Sequence, residues 1–269
     1  MLVNGSPGST INAEDRGLAY GDGVFRTLRM QAGRPVCWER QYAKLQRDCS
    51  ALKISCPSAL VLFSELQQLG KTQPDGVAKI VITRGIATRG YAPSAQSEPT
   101  RILGLSSAAA FPAEYSRQGV RMHVCKLRLG HQVLLAGVKH LNRLENVLAA
   151  SEWQDQDIAE GLLSDVSGYV ISGTRSNLFM LRSNILYTPS LSRCGVAGVQ
   201  RDRVIDWARQ HGVPCKTVDF HLEELLQADE IFLVNSVFGL WPVRELAGYR
   251  RTQHPLAWKI QEWLNDERH

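Results

Sequence analysis

The strongest constraint on the fold is an alternation of strand and helix patterns in the first third of the chain. Residues 23–30 alternate apolar and polar side chains as a strand does, and residues 31–34 have the composition of a turn. Residues 38–52 then carry apolar side chains at helical spacing. Three further elements are predicted, namely a helix over residues 58–69 that Ser58 caps and strands over 77–83 and 100–106. Strands and helices interleaved in this way predict an α+β half.

The second half of the chain restarts this pattern after a stretch with the composition of a linker. Residues 107–119 contain an alanine run and a Phe-Pro step. We therefore expect an N-terminal domain over 1–110, a linker over 111–119 and a C-terminal domain over 120–269. The elements predicted in this half are strands over 120–126, 160–163, 177–181, 185–188 and 230–235 and helices over 142–154, 200–211 and 255–265.

Composition excludes several classes of protein. A chain of 269 residues with 44% apolar content can bury a core, and its net charge of +5 comes from scattered basic residues, which gives little support for nucleic-acid binding. The six cysteines form no C-x-x-C pair and no paired spacing with histidines, so we expect a reduced, cytoplasmic protein without a metal site. The chain lacks an apolar run of about 18 residues and a secretion signal, so we expect no membrane association.

Lys139 is the candidate reactive residue, because a lysine beside Gly137 and a predicted helix start is a suitable place for a Schiff-base amine. A free lysine amine has a pKa of about 10.4 and is protonated at neutral pH, so burial or nearby cations must lower that pKa before the amine can attack. Lysine and arginine together number 31, and most such residues are solvated surface charges. The neighbours of Lys139 therefore decide whether it is reactive.

Three other segments have the composition of ligand-binding loops. Residues 195–201 lead from a glycine-containing loop into a predicted helix, whose first N–H groups and positive dipole end suit a phosphate; the alternative is an ordinary capped turn. Asn235 and Ser236 follow a predicted strand, where an amide, a hydroxyl and main-chain N–H groups can contact a ligand. Residues 84–99 are rich in Gly, Ala, Pro and Ser and form a loop long enough to be functional.

A set of motifs spread along nearly the whole chain resembles one enzyme family. The motifs are the segment 15–25 with Thr27, the Thr-Arg-Gly run over 83–85, the Arg-Gly-Tyr run over 89–91, the segment 135–145 around Lys139, the Ser-Asn-Leu-Phe run over 176–179, the loop 195–201, the pair Asn235 and Ser236, residues 227–231 and the Trp-Pro-Val run over 241–243. In this order they resemble the fold-type IV pyridoxal-phosphate enzymes, the class of the branched-chain and D-amino-acid aminotransferases. The segment around Lys139 is most similar to the 4-amino-4-deoxychorismate lyases.

The resemblance implies a fold and a cofactor. The expected fold is α/β, with a smaller N-terminal α/β domain, a larger barrel-like C-terminal α/β domain and pyridoxal 5′-phosphate in the cleft between them; the expected assembly is a homodimer. Lys139 would bind the cofactor as a Schiff base and, once substrate displaces it, accept and donate the substrate's proton. The cofactor-binding residues that the resemblance implies are Lys139, Lys44, Ser172, Gly198, Val199, Asn235 and Ser236.

The resemblance also implies a reaction on a small molecule. 4-Amino-4-deoxychorismate would lose its C4 proton and expel its enolpyruvyl side chain as pyruvate, which leaves 4-aminobenzoate for folate biosynthesis. Thr27 would act as a second catalytic residue that positions the proton or the leaving group. Arg89 and Tyr91 would bind the carboxylates of the substrate through bidentate pairing and a phenol hydrogen bond. Asn142 and Arg143 are the remaining candidate substrate-binding residues.

Two positions depart from the pattern of the family. Ser172 lies where relatives usually carry a glutamate that pairs with the pyridine nitrogen, and a serine cannot keep that nitrogen protonated as a carboxylate does. A weaker electron sink favours a lyase, whose product gains aromaticity, over an aminotransferase. Lys44 lies where relatives usually place an arginine on the cofactor phosphate, so the charge is kept and the planar fork is lost.

Three alternatives to the lyase stay open from the sequence. An aminotransferase of D-amino or branched-chain acids would share the motifs. A catalytically impaired relative would follow from Ser172 and Lys44. A nucleotide-binding protein would use the loop at 195–198, but that loop lacks the Gly-Lys-Ser/Thr step of a phosphate-binding P-loop.

Overall fold

The chain forms two compact units in a computed structural model that describes residues 1–87, 90–94, 97–108 and 110–266. The first unit holds residues 1–110 together with the short segment 138–142. The second unit holds, of the described residues, 111–137 and 143–266. The predicted division would assign the segment 138–142 to the C-terminal domain, whereas its main chain pairs with a strand of the first unit.

The first unit is an antiparallel sheet with helices. Its described strands are β1 (Leu2–Val3), β2 (Ser6–Pro7), β3 (Gly23–Gln31), β4 (Arg34–Pro35), β5 (Gly76–Thr83) and β6 (Arg101–Ser106). Its described helices are α1 (Arg16–Tyr20), α2 (Trp38–Ala51) and α3 (Ala59–Gly70). The strand order is β2-β1-β6-β5-β3-β4, and each neighbouring pair is antiparallel. The strands and helices predicted in this half are therefore present, and Ser58 caps α3 by accepting from the N–H of Val61.

The core of the first unit explains why these segments fold as they do. Leu28 on β3 is fully buried and belongs to the same apolar cluster as Leu45 on α2 and Leu66 on α3. Burying a side chain of this size contributes roughly 1.5–3 kcal/mol. The period of two along β3 and the helical period along α2 thus place apolar side chains on facing surfaces.

The second unit is a larger mixed sheet with helices. Its described strands are β7 (Val120–Leu129), β8 (Ile158–Asp165), β9 (Val170–Gly173), β10 (Asn177–Arg182), β11 (Ile185–Pro189), β12 (Cys215–Val218), β13 (Glu230–Asn235), β14 (Gly239–Leu246) and β15 (Tyr249–Arg250). Its described helices are α4 (Ala113–Arg117), a 3₁₀ turn (Val133–Leu135), α5 (Leu144–Ala150), α6 (Val199–Gln210), α7 (Leu222–Leu226) and α8 (Pro255–Asp266). The order is β12-β11-β10-β13-β14-β7-β8-β9, and β15 pairs with β14. The pairs β7–β8, β7–β14 and β11–β12 are parallel.

Two segments differ from the sequence-based expectation. The stretch 111–119, expected as a linker, contains α4 and belongs to the second unit, because Phe111 and Tyr115 pack edge-on against Trp241 with ring centroids 4.9 and 5.1 Å away. The helix expected over 142–154 is shorter, since α5 runs only from Leu144 to Ala150. Lys139 and Leu141, shortly before α5, pair with β3 through their main chains. Within the described ranges, no helix combines the length and apolar character needed to cross a membrane.

Candidate active site

Lys139 lies on a short extended segment that pairs with the start of β3. The N–H of Phe25 donates to the carbonyl of Lys139 at 3.0 Å, and the N–H of Leu141 donates to the carbonyl of Gly23 at 2.9 Å. A Cβ at Gly23 would lie 2.6 Å from the carbonyl oxygen of Ile82, so only glycine allows this close approach. The lysine is therefore held by main-chain hydrogen bonds on a sheet.

The amine of Lys139 lies over an aromatic ring and shares a strand face with one predicted partner. Its Nζ is 4.3 Å from the ring centroid of Phe25, which is cation–π distance. Thr27 follows two residues later on β3, and side chains two residues apart on a strand project to the same face. Lys79, opposite Thr27 on β5, places its own Nζ 5.2 Å from the same ring. The structure thus places Thr27 on the strand face that the Lys139 amine covers.

The loop that carries Tyr91 is tied to α1 by an arginine. Arg16 donates to the carbonyls of Gly90 and Tyr91 at 2.8 and 2.9 Å, and its Nε donates to Asp22 at 2.8 Å. Burial alone would raise the pKa of Asp22, but the hydrogen bonds and charges of Arg84 and Arg16 outweigh it and hold that pKa below its usual value. An ionised Asp22 therefore keeps Arg16 oriented towards the loop.

The predicted substrate-binding residues occupy different surroundings. Tyr91 is 86% exposed, and its ring lies 5.4 Å from the ring of Tyr20. Asn142 is exposed and donates from its amide to the carbonyl of Gly21 at 3.1 Å. Arg143 precedes α5 and donates to the side chain of Asn146 at 3.4 Å. Arg89 lies outside the described residues.

Lys44, the predicted phosphate ligand of the first unit, is half-buried on α2. It lies one turn before Asp48 on the same helix, and its carbonyl accepts a hydrogen bond of 3.4 Å from Arg26. Its positive charge lowers the pKa of Asp48, although burial, the largest influence, raises it. Lys44 and Asp48 therefore form a pair of neighbouring charged residues on α2.

The second unit contains the predicted phosphate loop. Helix α6 begins at Val199 after Gly198, and no side chain of the described residues caps it. Asn177 at the start of β10 fixes this loop, since its Oδ1 accepts from the N–H of Gly198 at 3.0 Å and its Nδ2 donates to the carbonyl of Val196 at 2.8 Å. A Cβ at residue 198 would lie 2.5 Å from the Asn177 oxygen, so a larger residue would displace the side chain that fixes the loop. The N–H groups at this helix end can bind an anion.

Asn235 and Ser236 form the turn between β13 and β14. The side-chain oxygen of Asn235 accepts from the N–H groups of Val237 and Phe238, each at 2.9 Å, and its amide donates to the carbonyl of Arg175 at 3.2 Å. These bonds occupy the Asn235 side chain in shaping the turn. Ser236 is half-buried in that turn.

Ser172 is buried on β9, next to a buried carboxylate that the sequence analysis missed. The Ser172 hydroxyl donates to the carbonyl of Gly173 at 2.8 Å. Glu160 on β8 is fully buried and accepts from the N–H of Thr174 at 3.0 Å and from the hydroxyl of Ser176 at 2.9 Å. Glu160 thus organises the turn that joins Ser172 to Asn177. A lone glutamate in an apolar strand was the only signal of this role.

The residues of each unit fit parts of the cofactor that the resemblance implies. The first unit supplies a half-buried lysine amine on a fixed main chain and a second cation, Lys44. The second unit supplies an uncapped helix end at Gly198 and Val199 and a hydroxyl at Ser236. An aldehyde requires an amine, and a phosphate dianion requires N–H donors, hydroxyls and cations. Main-chain and side-chain groups of the described residues meet both chemical requirements.

Comparison with known proteins gives the class first. Residues 23–246 match the family model of amino-transferase class IV. The chain is 46% identical to 4-amino-4-deoxychorismate lyase from Pseudomonas aeruginosa, whose crystal structure superposes with a TM-score of 0.95 over 99% of this chain and 98% of that chain. The predicted α/β fold of fold-type IV enzymes is therefore confirmed, and the chain belongs to the amino-transferase class IV family.

Two curated relatives show the range of activities around this chain. It is 37% identical to aminodeoxychorismate lyase of Vibrio harveyi over 90% of this chain and 89% of the relative. It is 29% identical to a putative branched-chain-amino-acid aminotransferase of Methanocaldococcus jannaschii over 88% of this chain and 83% of the relative. The lyases are thus more similar to this chain than the aminotransferase is.

Proposed function

We propose that the protein is a pyridoxal-phosphate-dependent lyase that converts 4-amino-4-deoxychorismate to 4-aminobenzoate and pyruvate. The observation that carries the proposal is the 46% identity to the Pseudomonas lyase over 99% of the chain. The 37% identity to the Vibrio lyase supports the same activity. We place the reaction in the cytoplasm, where thiols stay reduced, because all six cysteines are free.

Each predicted residue has a defined task in this proposal. Pyridoxal phosphate supplies an imine-forming aldehyde and an electron-withdrawing ring. The Lys139 amine anchors the aldehyde and then removes and returns protons at the substrate, and Phe25 below the amine limits its movement. Val199 presents its main-chain N–H to the phosphate, and Gly198, whose own N–H donates to Asn177, leaves room for the phosphate at the start of α6. Thr27 lies on the strand face that the amine covers, which suits a hydroxyl that orients the proton or the leaving group.

Ser172 supports elimination over transamination. A neutral hydroxyl beside the pyridine nitrogen provides no negative charge to keep that nitrogen protonated, so the ring withdraws electrons less strongly. The proposed reaction needs less withdrawal, because breaking the carbon–oxygen bond to the enolpyruvyl group creates an aromatic ring.

The products without an added keto acid test this function. Purified protein supplied with pyridoxal phosphate and 4-amino-4-deoxychorismate is expected to release pyruvate and 4-aminobenzoate in equal amounts. The aminotransferase relatives make transamination the second candidate. Release of products only after a keto acid is added, or amino-group transfer from a D-amino or branched-chain acid at a higher kcat/KM, would contradict the lyase proposal.

We further propose that the protein is a homodimer. Exposed apolar side chains on the 3₁₀ turn and α5 of the second unit support it, and these residues, each more than half exposed, are Val133, Leu134, Leu144, Val147 and Leu148. Exposed apolar surface is favoured where another chain covers it. Analytical ultracentrifugation is expected to give the mass of two chains, and Leu148→Glu is expected to give monomers. Leu60→Glu, at an 83% exposed leucine on α3, is the matched control. A monomeric wild-type protein would rule out the dimer.

A further inference from the structure

A buried ion pair joins β3 to α2 in the first unit. Arg26, 3% exposed, donates to Asp48, 1% exposed. Arg26 lies on the same side of β3 as the core residues Val24 and Leu28. Removing two charges from water is costly, and a buried pair contributes little net stability compared with apolar side chains of the same size. The presence of this pair in an apolar core therefore calls for a reason other than stability.

The structure provides that reason in a second partner of Asp48, the main chain of Lys139. The carboxylate oxygen that binds Arg26 also accepts a hydrogen bond of 3.3 Å from the main-chain N–H of Lys139. The carbonyl of Lys139 accepts from the N–H of Phe25 at 3.0 Å. Both polar groups of the Lys139 main chain are thus held, the N–H by α2 and the carbonyl by β3. The Cα position from which the amine extends is fixed by these two bonds.

We infer that Asp48 is a positioning residue for Lys139 and that Arg26 is the counter-ion that keeps Asp48 in place. The inference rests on the proposed function, which assigns the reactive amine to Lys139. A displacement of about 1 Å in a reacting group can reduce the rate roughly 10²-fold, so a fixed main chain at this residue has a direct kinetic value. Asp48 acts through Lys139 and makes no bond to substrate itself.

The surroundings of Asp48 agree with this role. Burial raises the pKa of Asp48 above its usual value, and the charge of Arg26, the Lys139 N–H and the charge of Lys44 oppose that rise without cancelling it. The groups that stabilise the carboxylate are thus the residues that it connects. The same turn of α2 carries Lys44, so one helix orients both the candidate phosphate ligand and the main chain of the candidate base.

The test replaces the ion pair without leaving a buried charge. Arg26→Met with Asp48→Leu fills the space with apolar groups, which preserves folding in comparable cases, and removes the acceptor of the Lys139 N–H. We expect the Lys139 amide to exchange with deuterium at least about 10-fold faster in the cofactor-free and the cofactor-loaded protein. We expect kcat to fall about 10-fold or more, with KM changed less than about twofold.

A conservative variant separates positioning from packing. Asp48→Asn together with Arg26→Gln keeps a side-chain oxygen at residue 48 and leaves no buried charge, so slow exchange at Lys139 and most of kcat are expected to be retained. Asp75→Asn is the matched control, because Asp75 also accepts a main-chain N–H, that of Ala32 at 3.0 Å, away from Lys139. The inference is overturned if the apolar double variant keeps wild-type exchange or wild-type kcat, or if the Arg26→Gln, Asp48→Asn variant loses as much kcat as the apolar one.

The exchange measurement also separates this inference from the proposed function. It reports the Lys139 hydrogen bond in the cofactor-free protein, so it succeeds or fails whatever reaction the enzyme performs. Unchanged exchange at Lys139 in an active lyase would overturn the inference alone. If the apolar double variant exchanges faster at Lys139 but the wild-type protein releases no pyruvate, the proposed function is contradicted. The inferred hydrogen bond between Asp48 and Lys139 is then still supported.

Discussion

Replacing Lys139 with alanine is expected to reduce turnover by about 10⁴-fold or more and to abolish the visible absorbance of the bound cofactor. The substitution removes the amine that anchors pyridoxal phosphate and that moves the substrate proton, and each of these roles has a large effect on rate. The fold should survive, because Lys139 pairs with β3 through its main chain, which alanine keeps. Steady-state kinetics and an absorbance spectrum measure the two effects.

Lys79 provides a matched control for this prediction. Its Nζ lies 5.2 Å from the ring of Phe25, the ring that Lys139 also covers, and the residue is exposed on β5. Lys79→Ala is expected to keep the cofactor absorbance and to change kcat by less than about threefold, because the contact is one surface cation–π interaction. Retained turnover in Lys139→Ala, or equal losses in both variants, would refute the assignment of Lys139 as the reactive amine.

Replacing Glu160 with leucine is expected to lower the free energy of unfolding by about 3–5 kcal/mol. The carboxylate is fully buried on β8 and accepts from the N–H groups of Gly161 and Thr174, each at 3.0 Å, and from the hydroxyls of Thr174 and Ser176. Leucine leaves these donors buried without their acceptor. Urea unfolding of the cofactor-free protein measures the change.

An exposed acid tests whether this loss is specific. Glu262 is exposed on α8, and Glu262→Gln is expected to change the free energy of unfolding by no more than about 0.5 kcal/mol. Glu160→Leu should also weaken cofactor binding, since the turn that Glu160 organises leads directly into Asn177, which holds the phosphate loop. A variant of Glu160 with wild-type stability would show that its donors find other partners.

Local patterns predicted most of the fold. The period of two in β3 and the helical period in α2 are strong signals, and both elements fall within one residue of their predicted ends. The prediction for α5 was too long at both ends. At its start, the N–H of Leu141 is committed to Gly23, so the helix begins only at Leu144. This hydrogen bond joins residues far apart in the chain, so the sequence near residue 142 does not predict it.

The candidate site also contains some residues with local sequence signals and others whose contacts are long-range. Lys139 and the Gly198 loop could be proposed as site residues from the sequence, because a lysine in a family motif and a glycine before a helix are local signals. Asp48 could not, since it contacts Lys139 across 91 residues of sequence. Its position on α2 reads as an ordinary polar residue in a helix. The roles of all the predicted site residues, from Lys139 to Ser236, stay predictions that substitution can test.

Ser172 is the residue that favours elimination over transamination in the proposed reaction. Its burial on β9 places a neutral hydroxyl, with its proton bonded to the carbonyl of Gly173, where relatives of the family usually have a glutamate. The buried acid nearby, Glu160, is occupied by donors of its own turn. The chain therefore provides no free carboxylate from Glu160 to strengthen the electron sink, which agrees with elimination as the favoured chemistry.

Reduction of the purified, cofactor-loaded protein with borohydride, followed by peptide mass spectrometry, tests the central claim most directly. Borohydride converts an imine into a stable amine, so the cofactor stays on the lysine that bound it. We expect the reduced cofactor on the peptide that contains Lys139 and on no other lysine peptide. Labelling at a different lysine, or a protein that acquires no label when loaded with pyridoxal phosphate, would contradict the account.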